Sequence, residues 1–100
     1  MIKVLVKKEN DNYKNISLKG HAMFADYGKD IVCSSVSSIV TTTVNAICRL
    51  NEDGLSYLVS EEGMELTIKS NDNVTQTLIE NMVSLLKELE EQYPANIEVK

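Results

Sequence analysis

His21 and Cys33 stand twelve residues apart in a chain that has one His and two Cys, and together they have the means for nucleophilic catalysis. A cysteine attacks as its thiolate. Both a nearby imidazolium and a helix N-terminus stabilise that anion, drawing a thiol below its free pKa of about 8.5. An imidazole within reach can take the thiol proton and later return it. The blander reading of the same two residues is a small buried hydrophobe and a structural histidine. Cys48 lies fifteen residues beyond Cys33. That is about 22 Å along an unbroken helix, against a limit of about 7 Å between Cα atoms in a disulfide. One His and two distant Cys fall short of a zinc ligand set, and the residues call for no metal or cofactor.

The elements around the pair decide whether it can meet. Gly20 ends or bends a strand over Tyr13–His21. Met23 to Lys29 has no regular period and contains Gly28, which predicts a loop hinged at Gly20 and Gly28. Met23, Phe24 and Tyr27 on that loop either line a pocket for an apolar side chain or pin the loop to the core. A helix is expected to begin near Asp30, a favoured N-cap, and to end near Leu50. Cys33 then falls at N3, where unpaired N–H groups and the helix dipole favour an anion. The N–H of Cys33 or Ser34 is the candidate donor to an acyl oxygen. Asp30 either caps the helix or orients the imidazole. Ser37, one turn after Cys33, either brings a hydroxyl to the sulfur or packs as a small residue. His21 has the opposite parity to Ile16 and Leu18, so Gly20 must break the strand for the imidazole to turn toward the helix.

The rest of the chain supplies a frame. Ile2 to Lys7 alternates with period two, Asn10, Asp11 and Asn12 supply a turn, and Ile16 and Leu18 share one face, which predicts a hairpin. Val32, Val36, Ile39, Val40, Thr43 and Ile47 recur at helical spacing. Leu55–Val59 and Met64–Ile68 form a second hairpin around Glu61-Glu62-Gly63. A second helix follows caps at Asn71 to Asn73, carries Val74, Leu78, Met82, Leu85, Leu86, Leu89 and Tyr93, and stops at Pro94. Asn96 to Lys100 can return as a strand. The expected fold is α+β, a two-layer sandwich of order ββαββαβ, with both helices on one face of a mixed five-stranded sheet. The other face would stay open, and an uncovered apolar face invites a second copy.

One hundred residues, 43% hydrophobic and 25% charged, make one domain over residues 1–100 with a single core. A formal net charge of -5 argues against a strong grip on nucleic-acid phosphate. Two Cys make no disulfide framework, and no apolar run reaches the about 20 residues of a membrane span. These features predict a soluble cytoplasmic protein without nucleic-acid or membrane partners.

Gly20-His21-Ala22, then Gly28-x-Asp30-Ile31-Val32-Cys33, then Val36-Ser37 resemble the ribosomal-processing cysteine protease family Prp, and the ββαββαβ order resembles it over the whole chain. The resemblance implies a small homodimeric bacterial protease with Cys33 as nucleophile and His21 as general base. It implies a narrow substrate, large-subunit ribosomal protein number twenty-seven, whose N-terminal extension is removed after a Phe-Phe pair and before Ala. The loop would close over the peptide. One departure stands out: the family usually carries Ala-Ala after the Cys, where this chain has Ser34 and Ser35, which bears on peptide fit. Two other classes compete, a noncatalytic ribosome-assembly binder and a redox thiol switch in which Cys33 cycles with an external thiol.

Overall fold

The computed structural model describes residues 1–20 and 27–100, with the side chains of the second stretch from residue 31 onward. The elements are β1 (Ile2–Glu9), β2 (Asn12–Lys19), α1 (Tyr27–Leu50), β3 (Leu55–Ser60), β4 (Gly63–Ile68), α2 (Asn73–Gln92) and β5 (Ile97–Val99). The expected ββαββαβ order is what the chain adopts. The sheet runs β3-β4-β2-β1-β5, antiparallel except where β5 lies parallel to β1. Asn10 and Asp11 form the two-residue loop of the first hairpin with φ of 53° and 65°, the left-handed pair that this hairpin turn requires and that Asn and Asp tolerate.

Period-two alternation puts Ile2, Val4, Ile16, Leu18, Leu66, Ile68, Leu55 and Ile97 on one face, in a common core with the apolar sides of both helices. Helix α2 packs over β2 and β5, α1 packs against β3, and the helices pack on each other. In α1 the buried stripe is Val32, Val36, Val40, Thr43, Val44 and Ile47. Ser, Thr and Val each cost up to about 0.7 kcal/mol in helix propensity. Burial of five aliphatic side chains at about 1.5–3 kcal/mol each outweighs that, so tertiary packing holds this helix.

In α2 the buried side is Thr75, Ile79, Met82, Val83, Leu86 and Leu89, while Val74 and Leu85 are exposed. The expected stripe is therefore rotated toward Ile79 and Val83, and Thr75 goes inside with them. Asp72 is the N-cap and accepts the Thr75 N–H at 3.1 Å, and a further bond to the Thr75 side chain lets that polar residue go inside. Gln76, next along, ties α2 to β2: its Oε1 accepts the Tyr13 N–H at 2.7 Å and its Nε2 donates to the Tyr13 carbonyl at 3.1 Å.

The bonds from Thr75 hold the Asp72 carboxyl below the usual carboxylate range. A depressed folded-state pKa contributes stability above the unfolded pKa and loses it as pH falls through the folded pKa. Asp72→Ala is therefore expected to lower Tm near neutral pH by an amount that shrinks as the solution is acidified through the carboxylate range. Thermal melts across that range check this, and a pH-independent deficit contradicts it.

Two expectations need correction. The outer sheet face is not apolar: it carries Lys3, Lys7, Asn15, Lys19, Glu65 and Thr67, and its exposed Leu5 and Leu58 are separated by Ser17 and Glu65. Apart from these two leucines the outward positions are polar or glycine, so this face gives no continuous apolar patch for a second copy. Also, Ile31–Leu50 is long and apolar enough to cross a membrane, with a mean hydropathy of 1.6. Its apolar stripe packs into the protein core, and Ser34, Ser37, Ser38, Thr41, Thr42 and Asn45 on its outward side are exposed and uncharged, with Arg49 exposed in the last turn.

Candidate active site

Cys33 sits in the second turn of α1, half-buried and packed against the core. It lines a cavity of about 220 Å³ between α1 and one end of the sheet. The walls are Val36, Ser37, Val40 and Thr41 from α1, Ile2, Leu18 and Gly20 from the sheet centre, and Val59, Ser60, Gly63 and Met64 from the β3–β4 hairpin. The lining is mainly apolar, with the thiol and three hydroxyls at its polar positions.

Two glycines permit this geometry. Gly20 has φ of 97°, and a Cβ there would strike the backbone carbonyl of Met1. Its N–H donates to the Glu62 carbonyl at 3.1 Å. Strand β2 ends at Lys19, so Gly20 breaks the strand as the parity of His21 requires. Gly63 has φ of 147°, and a Cβ there would strike the Leu18 carbonyl. Backbone meets backbone at the cavity wall, which leaves room for nothing larger than hydrogen at either position.

Helix α1 begins three residues earlier than the sequence predicts, at Tyr27. Tyr27 and Gly28 are therefore helical and do not belong to a hinged loop, and Asp30 is the fourth residue of the helix and not its N-cap. Cys33 is the seventh residue, beyond the first turn where free N–H groups and the helix dipole act. By the i−4 pattern, the N–H groups of Cys33 and Ser34 face the carbonyls of Lys29 and Asp30, so they are not free oxyanion donors. Gly in a first turn costs only about 1 kcal/mol, and Asp there faces the positive end of the helix dipole, so neither residue had to mark the boundary.

Ser37 shares the cavity with Cys33 and is exposed. Ser34 and Ser35 do not: they line a shallow groove between the helices with Ser38, Leu85 and Glu88. The hydroxyls that replace Ala-Ala therefore lie away from the cavity. His21, Met23 and Phe24 lie outside the described residues, as do the side chains of Tyr27 and Asp30. The residues that sequence reading missed are Val59, Ser60, Gly63 and Met64. Their only signal was Gly63 after Glu61-Glu62, a turn that says nothing of which strand it will lie beside.

The sequence profile of cysteine protease Prp matches residues 1–98. The chain belongs to the cysteine protease Prp family. It is 32% identical over 93 residues to the ribosomal processing cysteine protease Prp of Staphylococcus aureus strain Mu50, covering 88% of each chain. It is 31% identical over 109 aligned positions to the Prp of Bacillus subtilis strain 168, covering 99% of this chain and 96% of that one. Among solved structures, S. aureus Prp in complex with a substrate peptide has a TM-score of 0.90 at 26% identity, over 100% of this chain and 98% of that chain. S. aureus Prp with a covalently linked product peptide has a TM-score of 0.88, with the same identity and coverage. The α+β architecture is thus the Prp fold, and the protein is a cysteine protease.

Proposed function

We propose that this protease removes the N-terminal extension of large-subunit ribosomal protein number twenty-seven, cutting after Phe-Phe and before Ala, during ribosome assembly. Cys33 is the nucleophile and His21 the general base. The observation that carries this is the cavity beside Cys33: about 220 Å³, mainly apolar, with Cys33, Ser37, Thr41 and Ser60 as its polar side chains. A dry apolar cavity of about 150 Å³ holds benzene, so this one takes a single aromatic side chain next to the sulfur.

With Cys33 past the first turn of α1, the helix N-terminus no longer activates the thiol, and that task rests on His21. The imidazole takes the thiol proton, the sulfur attacks the scissile carbonyl, and the imidazolium returns the proton to the departing amine, leaving a thioester. Water, deprotonated by the same imidazole, then releases the new carboxylate and the thiol. Ser37 offers its hydroxyl to the acyl oxygen from one turn along the helix. Asp30, without a cap to make, orients the imidazole. Gly20 is the pivot that carries His21 out of the line of β2, and Met23 and Phe24 cover the peptide. No cofactor enters the scheme.

An acidic chain, net -5, suits a basic ribosomal protein. The reading places the enzyme in the cytoplasm, where Cys33 and Cys48, both free, stay reduced, and takes it to be a homodimer on the family resemblance. Incubation with the same organism's ribosomal protein, followed by intact-mass measurement, is expected to show loss of the extension as one clean cut. Tight binding with the substrate mass unchanged would overturn this substrate assignment.

A further inference from the structure

We propose that the substrate binds as a sixth strand of the sheet, paired in extended form along the free edge of β3 with its scissile bond at the Ser60 end. This rests on the protease reading and specifies how the same site holds its peptide.

Strand β3 is the last in the sheet order, and among the described residues nothing pairs with its outer side. The pairs that hydrogen-bond inward follow from the register. Ser60 pairs with Gly63 across the two-residue loop Glu61-Glu62, and the pair closing such a loop exchanges hydrogen bonds. Leu58 with Glu65 and Ser56 with Thr67 are the next bonded pairs along the ladder. The backbone N–H and C=O groups of Tyr57 and Val59 therefore point outward.

Natural edge strands are usually blunted by Lys, Pro, a bulge or a covering segment. The sequence of β3 is LSYLVS, with no charge and no Pro, and its register with β4 has no irregularity. Tyr57, Leu58 and Val59 are 55%, 72% and 63% exposed, three consecutive large apolar residues left open on one edge. An edge this bare is a pairing surface, and strand addition is how extended peptides use one.

Charge and continuity choose the occupant. Glu52 and Asp53 precede β3, Glu62 follows it and Glu65 lies beside it, with no Lys or Arg between residues 50 and 68. A second copy paired on this edge would bring those carboxylates against their equals, whereas a basic peptide meets them with opposite charge. Val59 and Ser60 also form part of the cavity wall that holds Cys33. Beside them Ser37 and Thr41 of α1 line the same cavity, and Asn45 continues that exposed row one turn on. A peptide in register with Tyr57 and Val59 is led past the sulfur, and alternation of its side chains turns one of them into the cavity.

The test uses Cys33→Ala protein labelled with ¹⁵N and a synthetic peptide bearing Phe-Phe-Ala and a lysine-containing tail. At saturation the amides of Tyr57 and Val59 are expected to exchange with solvent at least about 10-fold more slowly than in the free protein, while those of Ser56, Leu58 and Ser60 change little. Unchanged exchange at Tyr57 and Val59 in the saturated complex overturns the proposal. So does protection already present in the free protein that grows with its concentration, which would assign the edge to a second copy. Wild-type protein is assayed in parallel on the same peptide, N-methylated at one backbone nitrogen at a time. Methylation at alternate positions is expected to raise KM about 10-fold, the intervening positions having little effect. Cleavage of the parent peptide without either signature sinks the strand-addition proposal alone. Absence of cleavage sinks the proposed substrate and this proposal together.

Discussion

Cys33→Ala is expected to abolish cleavage of a peptide spanning the extension junction, a loss of about 10³-fold or more, while Cys48→Ala stays close to wild type. Both cysteines are half-buried and packed against the core on one helix, so burial does not separate them. Position does. Cys33 lines the cavity where a peptide side chain can enter, and Cys48 is about 22 Å further along the helix axis. His21→Ala is expected to match Cys33→Ala, because no free helix N–H stands ready to stabilise the sulfur anion at the seventh residue of α1. Initial rates by mass spectrometry check all three. Substantial turnover by Cys33→Ala would remove the thiol from the mechanism, and turnover by His21→Ala would move the base elsewhere.

The second large effect is on folding. Gly63→Ala is expected to cost about 2–4 kcal/mol of stability, because the new Cβ adds left-handed backbone strain to a clash with a main-chain oxygen. The positive φ at Gly63 and the Leu18 carbonyl against it leave no flexible side chain to yield. Gly54→Ala is the control. Its Cβ would lie 3.0 Å from Ile47 Cγ2 and 3.1 Å from the Asn51 carbonyl, tight contacts without positive φ, so the cost is smaller. Denaturant unfolding of the two variants should rank them in that order. Equal losses would mean that the β2–β4 approach can relax. The same substitution would also push β4 away from Leu18 and reshape the cavity, so residual folded Gly63→Ala protein should show a raised KM.

The strand alternation of Ile2, Val4, Ile16 and Leu18 and the threefold-fourfold spacing along α1 make the architecture legible in the sequence, because they are local signals with a fixed period. The start of α1 was not readable in the same way. Gly28 and Asp30 both carry end-of-helix preferences, yet each is tolerated in a first turn, and that three-residue difference moves Cys33 from the dipole to the helix body. In α2, Val74 and Leu85 read as part of the apolar stripe, whereas Ile79 and Val83 turn inward and leave both exposed. The polar outer face followed from Lys3 and Lys7 taken together with partners on β2 and β4, which only the register supplies. The cavity wall was out of reach for a related reason: Leu18 opposite Met64 and Lys19 opposite Gly63 are pairings between residues more than forty positions apart. The Cys33 and Ser37 pair, one helical turn apart, was legible from spacing alone.

The order of the strands also sets when the enzyme comes into being. Strands β1 and β2 lie inside the sheet, and both of their outer neighbours, β4 and β5, are made after α1. While the ribosome is still adding residues beyond Leu50, α1 presents its valine stripe with no β3, β4 or α2 to cover it, and Val59 to Met64 have not arrived to close the cavity. The nascent polypeptide therefore carries its thiol for much of its synthesis without a pocket to use it in.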